Sequence, residues 1–135
     1  MPSRLPDPQR SDNMRRIRSK DTLPERRVRS LVYRLGFRFR LGGWGLPGRP
    51  DLVFPGKRRV VFVHGCFWHQ HQRCNEGRVP GSNQEYWRPK LERNVQRDLE
   101  IQRVLAEAGW EYMVVWECEL RDIDALAARL CEFLS

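Results

Sequence analysis

All three histidines of the chain fall within eight residues, in the run His64-Gly-Cys-Phe-Trp-His-Gln-His-Gln-Arg-Cys74, together with two of the four cysteines. Thiolate sulfur and imidazole nitrogen are the ligand set of a tetrahedral zinc site. Cys66-x4-His71-x2-Cys74 offers three ligands at short spacing, and Cys118, just beyond a strand ending at Trp116, is the best fourth. Spacing alone does not decide which histidine binds. The competing reading is a set of free thiols and surface histidines; the density of the cluster argues for zinc. A histidine left over by the metal titrates near neutral pH and suits general acid or base work. Phe67 and Trp68 lie between the ligands, where a tethered loop leaves them little room to reach a core. Exposed aromatics flanked by arginine can stack on bases or wedge between them; the alternative is a satellite cluster within the domain. Trp87, on the following helix, is open to the same two readings. Cys131, beside Leu130 and Leu134, reads as a core thiol.

The acidic residues speak less clearly by themselves. Asp51 opens a short strand beside this loop, and Mg²⁺ is often held by one or two carboxylates plus phosphate oxygens. Most aspartates at strand starts are turn residues, however. Glu25 stands near a helix N-terminus, where a carboxylate ordinarily complements the macrodipole. Asp98 lies inside a long helix, where the ordinary role is a solvated pair one turn away.

Charge points to a polyanion. The 135 residues carry a net charge of +8. Residues 1–40 hold 12 Lys or Arg against 4 Asp or Glu, and the rest of the chain is balanced at 13 of each. The excess is therefore an N-terminal arm, either a solvated tail or a segment that follows a phosphate backbone. Arg outnumbers Lys by 22 to 3, which favours bidentate phosphate contacts. No stretch approaches the roughly 20 apolar residues of a membrane span. The first 20 residues lack the apolar core of a signal peptide. The expectation is a cytoplasmic, nucleoid-associated protein whose cysteines are thiols or metal ligands.

Positioning this chemistry falls to a short series of elements. Residues 11–20 read as a basic helix with Met14 and Ile17 on one face. A firmer helix runs from Leu23 to Leu35, with Pro24 in its first turn, an apolar stripe of Val28, Leu31, Val32 and Leu35, and Gly36 as its stop. Phe37–Leu41 alternates like a strand. Asp51–Phe54 is a short strand, Pro55-Gly56-Lys57 a turn, and Arg59–His64 the most buried-looking strand. Asn83–Ala108 forms a long helix with Trp87, Leu91, Val95 and Leu99 on one stripe; Pro89 either kinks it or marks its start. Trp110–Trp116 is another strand, and Asp122–Leu134 a closing amphipathic helix. With no linker or repeat in view, residues 21–135 form one domain behind a basic arm of residues 1–20. The order suggests an α/β sandwich, a mixed sheet covered by helices.

Four motifs occur in order: Pro47-Gly-Arg-Pro-Asp51, Val63-His-Gly-Cys-Phe-Trp-His69, Asn94-Val-Gln-Arg-Asp98 and Val115-Trp-Glu-Cys118. Together they resemble the very-short-patch repair (Vsr) DNA mismatch endonucleases, over most of the chain from about Asp12 to Phe133. The resemblance implies a restriction-endonuclease-like fold with a central mixed sheet between helices and a structural zinc loop. It implies Mg²⁺-dependent nicking of double-stranded DNA at thymine–guanine mismatches left by deamination of 5-methylcytosine. Asp51 and the Val63 backbone carbonyl would bind Mg²⁺, His69 would be the general base, Asp98 would orient it, and His64 and Glu25 would support the site. Cys66, His71, Cys74 and Cys118 would hold zinc. Phe67, Trp68 and Trp87 would wedge into the duplex, and Met14 and Ile17 would enter from the minor groove on an arm whose Arg15 and Arg16 also contact DNA. Monomeric action, with mismatch-repair proteins as further partners, completes that expectation. Two alternatives stand beside it: a nickase of the same fold with another DNA target, and a zinc-containing DNA-binding module without catalysis.

Overall fold

The computed structural model describes residues 22–71 and 84–135. The first described helix, α1 (Leu23–Arg34), starts where Thr22 is extended and its hydroxyl accepts the Glu25 N–H at 3.3 Å. That cap satisfies one of the amide groups that a helix start leaves over, and the proline in the first turn has no N–H to leave unpaired. Val28, Leu31 and Val32 form its buried face. Gly36, at φ +99°, ends it.

Among the described residues, three strands make one mixed sheet in the order β1 (Leu52–Phe54), β2 (Arg59–His64), β3 (Glu111–Trp116). The first pair is antiparallel, with Leu52 opposite Val61. The second pair is parallel, with Arg59 opposite Glu111 and His64 opposite Trp116. A parallel pair needs a long crossover, and α2 (Gln84–Glu107) belongs to it. Pro89 lies inside this helix, which continues through it. The closing helix, α3 (Ile123–Leu134), begins where the Asp122 carboxylate accepts the Ala125 N–H.

Alternation along the strands divides the core into two layers. Leu52, Phe54, Val61, Val63, Met113 and Val115 pack with α1 and α3. Val53, Val60, Phe62 and Val114 pack with Ile101 and Leu105 of α2. The result is a helix–sheet–helix sandwich. Gly48 (φ +76°) lets the preceding loop lie against α2, since a Cβ there would stand 2.5 Å from the Ile101 side chain.

Two expectations need correction. The strand over Phe37–Leu41 is reduced to one bridge between Arg40 and Val53, with N–H···O distances of 2.8 and 3.0 Å. The partner strand has only three residues, and the chain turns off at Gly42 (φ +84°), so nothing remains to extend the ladder. Leu99 is 54% exposed, whereas the buried face of α2 runs through Leu91 and Leu105. A spacing of four overshoots the helical turn by about 40° per step, so Leu99 lies roughly 80° around the helix from Leu91 and about 120° from Leu105. Cys131 is half-buried on α3, at the margin of the core. Among the described residues, no helix is long and apolar enough to cross a membrane.

Candidate active site and metal cluster

Because β2 and β3 run parallel, the chain leaves both strands at the same end of the sheet. The turn Gly65–His71 follows His64, and Cys118 follows Trp116, so residues 47 or more positions apart become neighbours. The turn is closed by the His69 N–H on the Gly65 carbonyl (3.1 Å) and the His71 N–H on the Cys66 carbonyl (2.9 Å). The Gln70 side chain caps the Phe67 carbonyl at 2.7 Å.

The histidines then separate by role. Cys66, His71 and Cys118 form one cluster, with ligand atoms all within 4.8 Å of one another. His71 Nδ1 stands 3.7 Å from Cys66 Sγ and 3.4 Å from Cys118 Sγ. Ligands at ordinary zinc–sulfur and zinc–nitrogen bond lengths and a tetrahedral angle would lie about 3.6 Å apart, so the donors fit such an ion. Cys66 is fully buried, and its N–H donates to Glu117 Oε1 at 3.1 Å. Cys74 lies outside the described residues.

His64, His69 and Asp98 form the second cluster. The two imidazoles are stacked, 3.7 Å apart and 8° from parallel. In-plane lone pairs on parallel rings do not converge on one ion, so this geometry suits proton transfer better than metal binding. His69 Nδ1 is 2.6 Å from Asp98 Oδ2 on α2. With Nδ1–H donating to that carboxylate, Nε2 is left unprotonated and able to accept a proton. Burial first, and then the neighbouring His69, push the His64 pKa down from 6.5 to about 4, against the pull of Asp98. His64 is thus neutral at neutral pH.

A third group completes this end of the sheet. Asp51 Oδ2 accepts the Val63 N–H at 2.6 Å, one residue before His64. In a strand the N–H and C=O of one residue point to the same side, so the Val63 carbonyl also faces the side on which β1 has ended. Asp51 shares a side-chain hydrogen bond with Glu25, itself 7% exposed. Two carboxyl groups can share such a bond only if one holds a proton, or a cation takes the proton's place. Burial is the main cause that raises the Asp51 pKa from 3.8 to about 7; Glu25 adds to it, while the Val63 N–H and Arg29 oppose it. This donor set fits a hard cation held by carboxylates.

Phe67, Trp68 and Trp87 form a half-buried surface cluster of edge-to-face rings, with centroids 5.2, 5.4 and 5.8 Å apart. Phe67 and Trp68 therefore shield each other from water, partly as in the satellite-cluster reading, while remaining at the surface. The Asn94 side chain supports them by donating to the Trp68 carbonyl at 3.1 Å, and Tyr86, 59% exposed, packs on Trp87. Trp116 contacts both His64 and His71 and so borders both histidine clusters, while Glu117 borders the Cys66 side; neither was singled out as a site residue, although both lie within the motif Val115-Trp-Glu-Cys118. Met14, Arg15, Arg16 and Ile17 lie outside the described residues.

Comparison with known proteins places this geometry in a family. The sequence model for the DNA mismatch endonuclease Vsr matches residues 4–76. The type II nicking enzyme V.XorIIP of Xanthomonas oryzae is 51% identical, over 99% of this chain and 98% of its own length. The chain belongs to the Vsr endonuclease family. The DNA mismatch endonuclease Vsr of Escherichia coli is 44% identical over 93% of this chain and 83% of its own. The type II nicking enzyme V.NmeAIP of Neisseria meningitidis is 42% identical over 84% and 80%. This Vsr-family chain is accordingly a DNA nicking endonuclease of mixed α/β architecture, with Cys/His groups able to hold a metal.

Proposed function

We propose that this Vsr-family enzyme nicks one strand of duplex DNA at a thymine–guanine mismatch, by Mg²⁺-dependent hydrolysis leaving a 5′-phosphate and a 3′-hydroxyl. The observation that carries the chemistry is the bonded pair His69–Asp98 standing one strand away from the buried carboxylates Asp51 and Glu25. Asp98 holds the His69 tautomer so that Nε2 takes the proton of the attacking water. Asp51 and the Val63 carbonyl are the residues to hold Mg²⁺, with Glu25 behind them. The bound ion would neutralise charge developing on the phosphate and the leaving oxygen. His64, kept neutral by burial, supports the His69 ring without competing for its proton.

Target choice rests on the aromatic cluster. A mispaired step is cheaper to unstack than a matched one, by a few kcal/mol at most. Phe67, Trp68 and Trp87 carry enough ring surface to fill an opened step, with Met14, Ile17, Arg15 and Arg16 of the basic arm on the opposite groove. Cys66, His71, Cys74 and Cys118 would hold a structural zinc that keeps the loop in place. We read the sandwich as restriction-endonuclease-like and the enzyme as a monomer.

The test is a nicking assay on two end-labelled duplexes, one with a central thymine–guanine mismatch and one fully paired, each with Mg²⁺ or EDTA. Mg²⁺-dependent cleavage only beside the mispaired thymine supports the proposal. Equal cleavage of both duplexes would point to a nickase of the same fold with another target.

A further inference from the structure

We infer that Trp116 is a positioning residue, whose indole ties the Cys66–His71–Cys118 cluster to the general base and sets the plane of the His69 imidazole. This rests on the reading of His69 as that base. The link is a continuous series of ring contacts. His71, a member of the metal cluster, stacks on Trp116 with centroids 4.2 Å apart and planes 8° from parallel. Trp116 meets His64 edge-on at 5.3 Å and 76°. His64 stacks on His69 at 3.7 Å and 8°, and His69 bonds Asp98.

Each contact follows from the sheet. His64 and Trp116 are register partners on parallel strands, so their side chains rise side by side on the α2 face. Cys118 lies only two residues beyond Trp116, and the Trp116 N–H is anchored on Glu119 Oε1 at 2.9 Å. The Cys66 N–H on Glu117 holds the other side of the metal cluster to the same segment.

The need for such a device is visible at His64. Its Nδ1 is buried and has no hydrogen-bond partner among the described residues. Among the described residues no bond at that atom holds the ring, and the rings of His69, Trp116 and Phe62 pack around it. Imidazole χ2 wells are broad, and the Asp98 bond fixes one direction of His69 without fixing its plane. Stacking on His64 supplies that second constraint, and the edge-on contact with Trp116, itself stacked on His71, holds the His64 ring in place.

The experiment compares Trp116→Leu, which removes the ring, with Trp116→Phe, which keeps one. Single-turnover nicking, DNA affinity, bound zinc and the NMR signal of the His69–Asp98 bridging proton are measured for each. With zinc and affinity retained, Trp116→Leu is expected to lower the nicking rate about 10- to 100-fold, the scale on which supporting partners act. The bridging-proton signal broadens in Trp116→Leu and persists in Trp116→Phe, whose rate recovers to within about fivefold of the parent. A parental rate in Trp116→Leu overturns the inference. So does equal damage in both variants, or loss of zinc or fold in Trp116→Leu, which would make Trp116 a packing residue only. His69→Ala separates the two readings: if it still nicks, the base assignment fails; if it is inactive while Trp116→Leu is not, only the role of Trp116 fails.

Discussion

Two clusters built from nearly the same residue types stand at the same end of the sheet and behave as opposites. In Cys66–His71–Cys118 the donor atoms converge, at 3.4 and 3.7 Å from one nitrogen. In His64–His69–Asp98 the rings lie face to face and one nitrogen is spent on a carboxylate. The first geometry suits a tetrahedral ion; the second keeps one nitrogen available to a water. Two residues along the same turn separate His69 from His71. Ligand type therefore does not make a metal site; convergence of lone pairs does.

The contrast is broken most severely by removing a converging donor. Cys118→Ser is expected to lose bound zinc, measured by elemental analysis, and to lower the melting temperature by more than about 10 °C, since metal-binding energy in such sites is folding energy. Unchanged melting of the parent protein in a strong chelator would sink the zinc assignment.

His69→Ala tests the other side. Nicking should fall on the order of 10²- to 10⁴-fold, while zinc content, melting temperature and mismatch affinity hold. Loss of zinc in this variant would mean that the two clusters are one.

Asp51→Asn sharpens the comparison by adding a site that is favourable only when charged from outside. Its folded pKa of about 7 exceeds the unfolded 3.8, so the folded metal-free protein binds more protons between those values. The sign follows: this group makes the metal-free protein lose stability as pH rises from about 4 to 7, by up to about 4 kcal/mol. Asp51→Asn should abolish nicking yet raise the metal-free melting temperature at pH 8, with little change at pH 4. An equally large gain at both pH values would exclude the charge as its cause.

The smallest effect belongs to the aromatic surface. Phe67→Ala with Trp68→Ala should cut mismatch affinity by about 1–3 kcal/mol per lost stack and matched-duplex affinity by clearly less. Equal losses on both duplexes would remove the wedge from the mechanism.

Much of the frame was legible beforehand, because its signals are local. Pro24 opens a helix, Val60–Val63 is too apolar to lie anywhere but inside, and Gly36 stops a helix with positive φ. Where a pattern was read with the wrong step, as at Leu99, the helical period corrected it. Where pairing depended on a partner's length, as at Phe37–Leu41, the sequence could not supply it.

By itself the sequence determined the chemistry on offer: a dense Cys/His run, an acid before a buried strand, a second acid on the long helix, and a family. Residue spacing left open which histidine faces which partner, and only the tertiary structure brings those atoms together. Parallel pairing of β2 and β3 brings Cys118 to His71 and Trp116 to His64, and α2 returns over the sheet to deliver Asp98 to His69. Glu25 reaches Asp51 across more than 25 residues of chain in the same way. Such distances depend on strand register and helix docking, which are set by burial of side chains remote in sequence, so no local spacing encodes them.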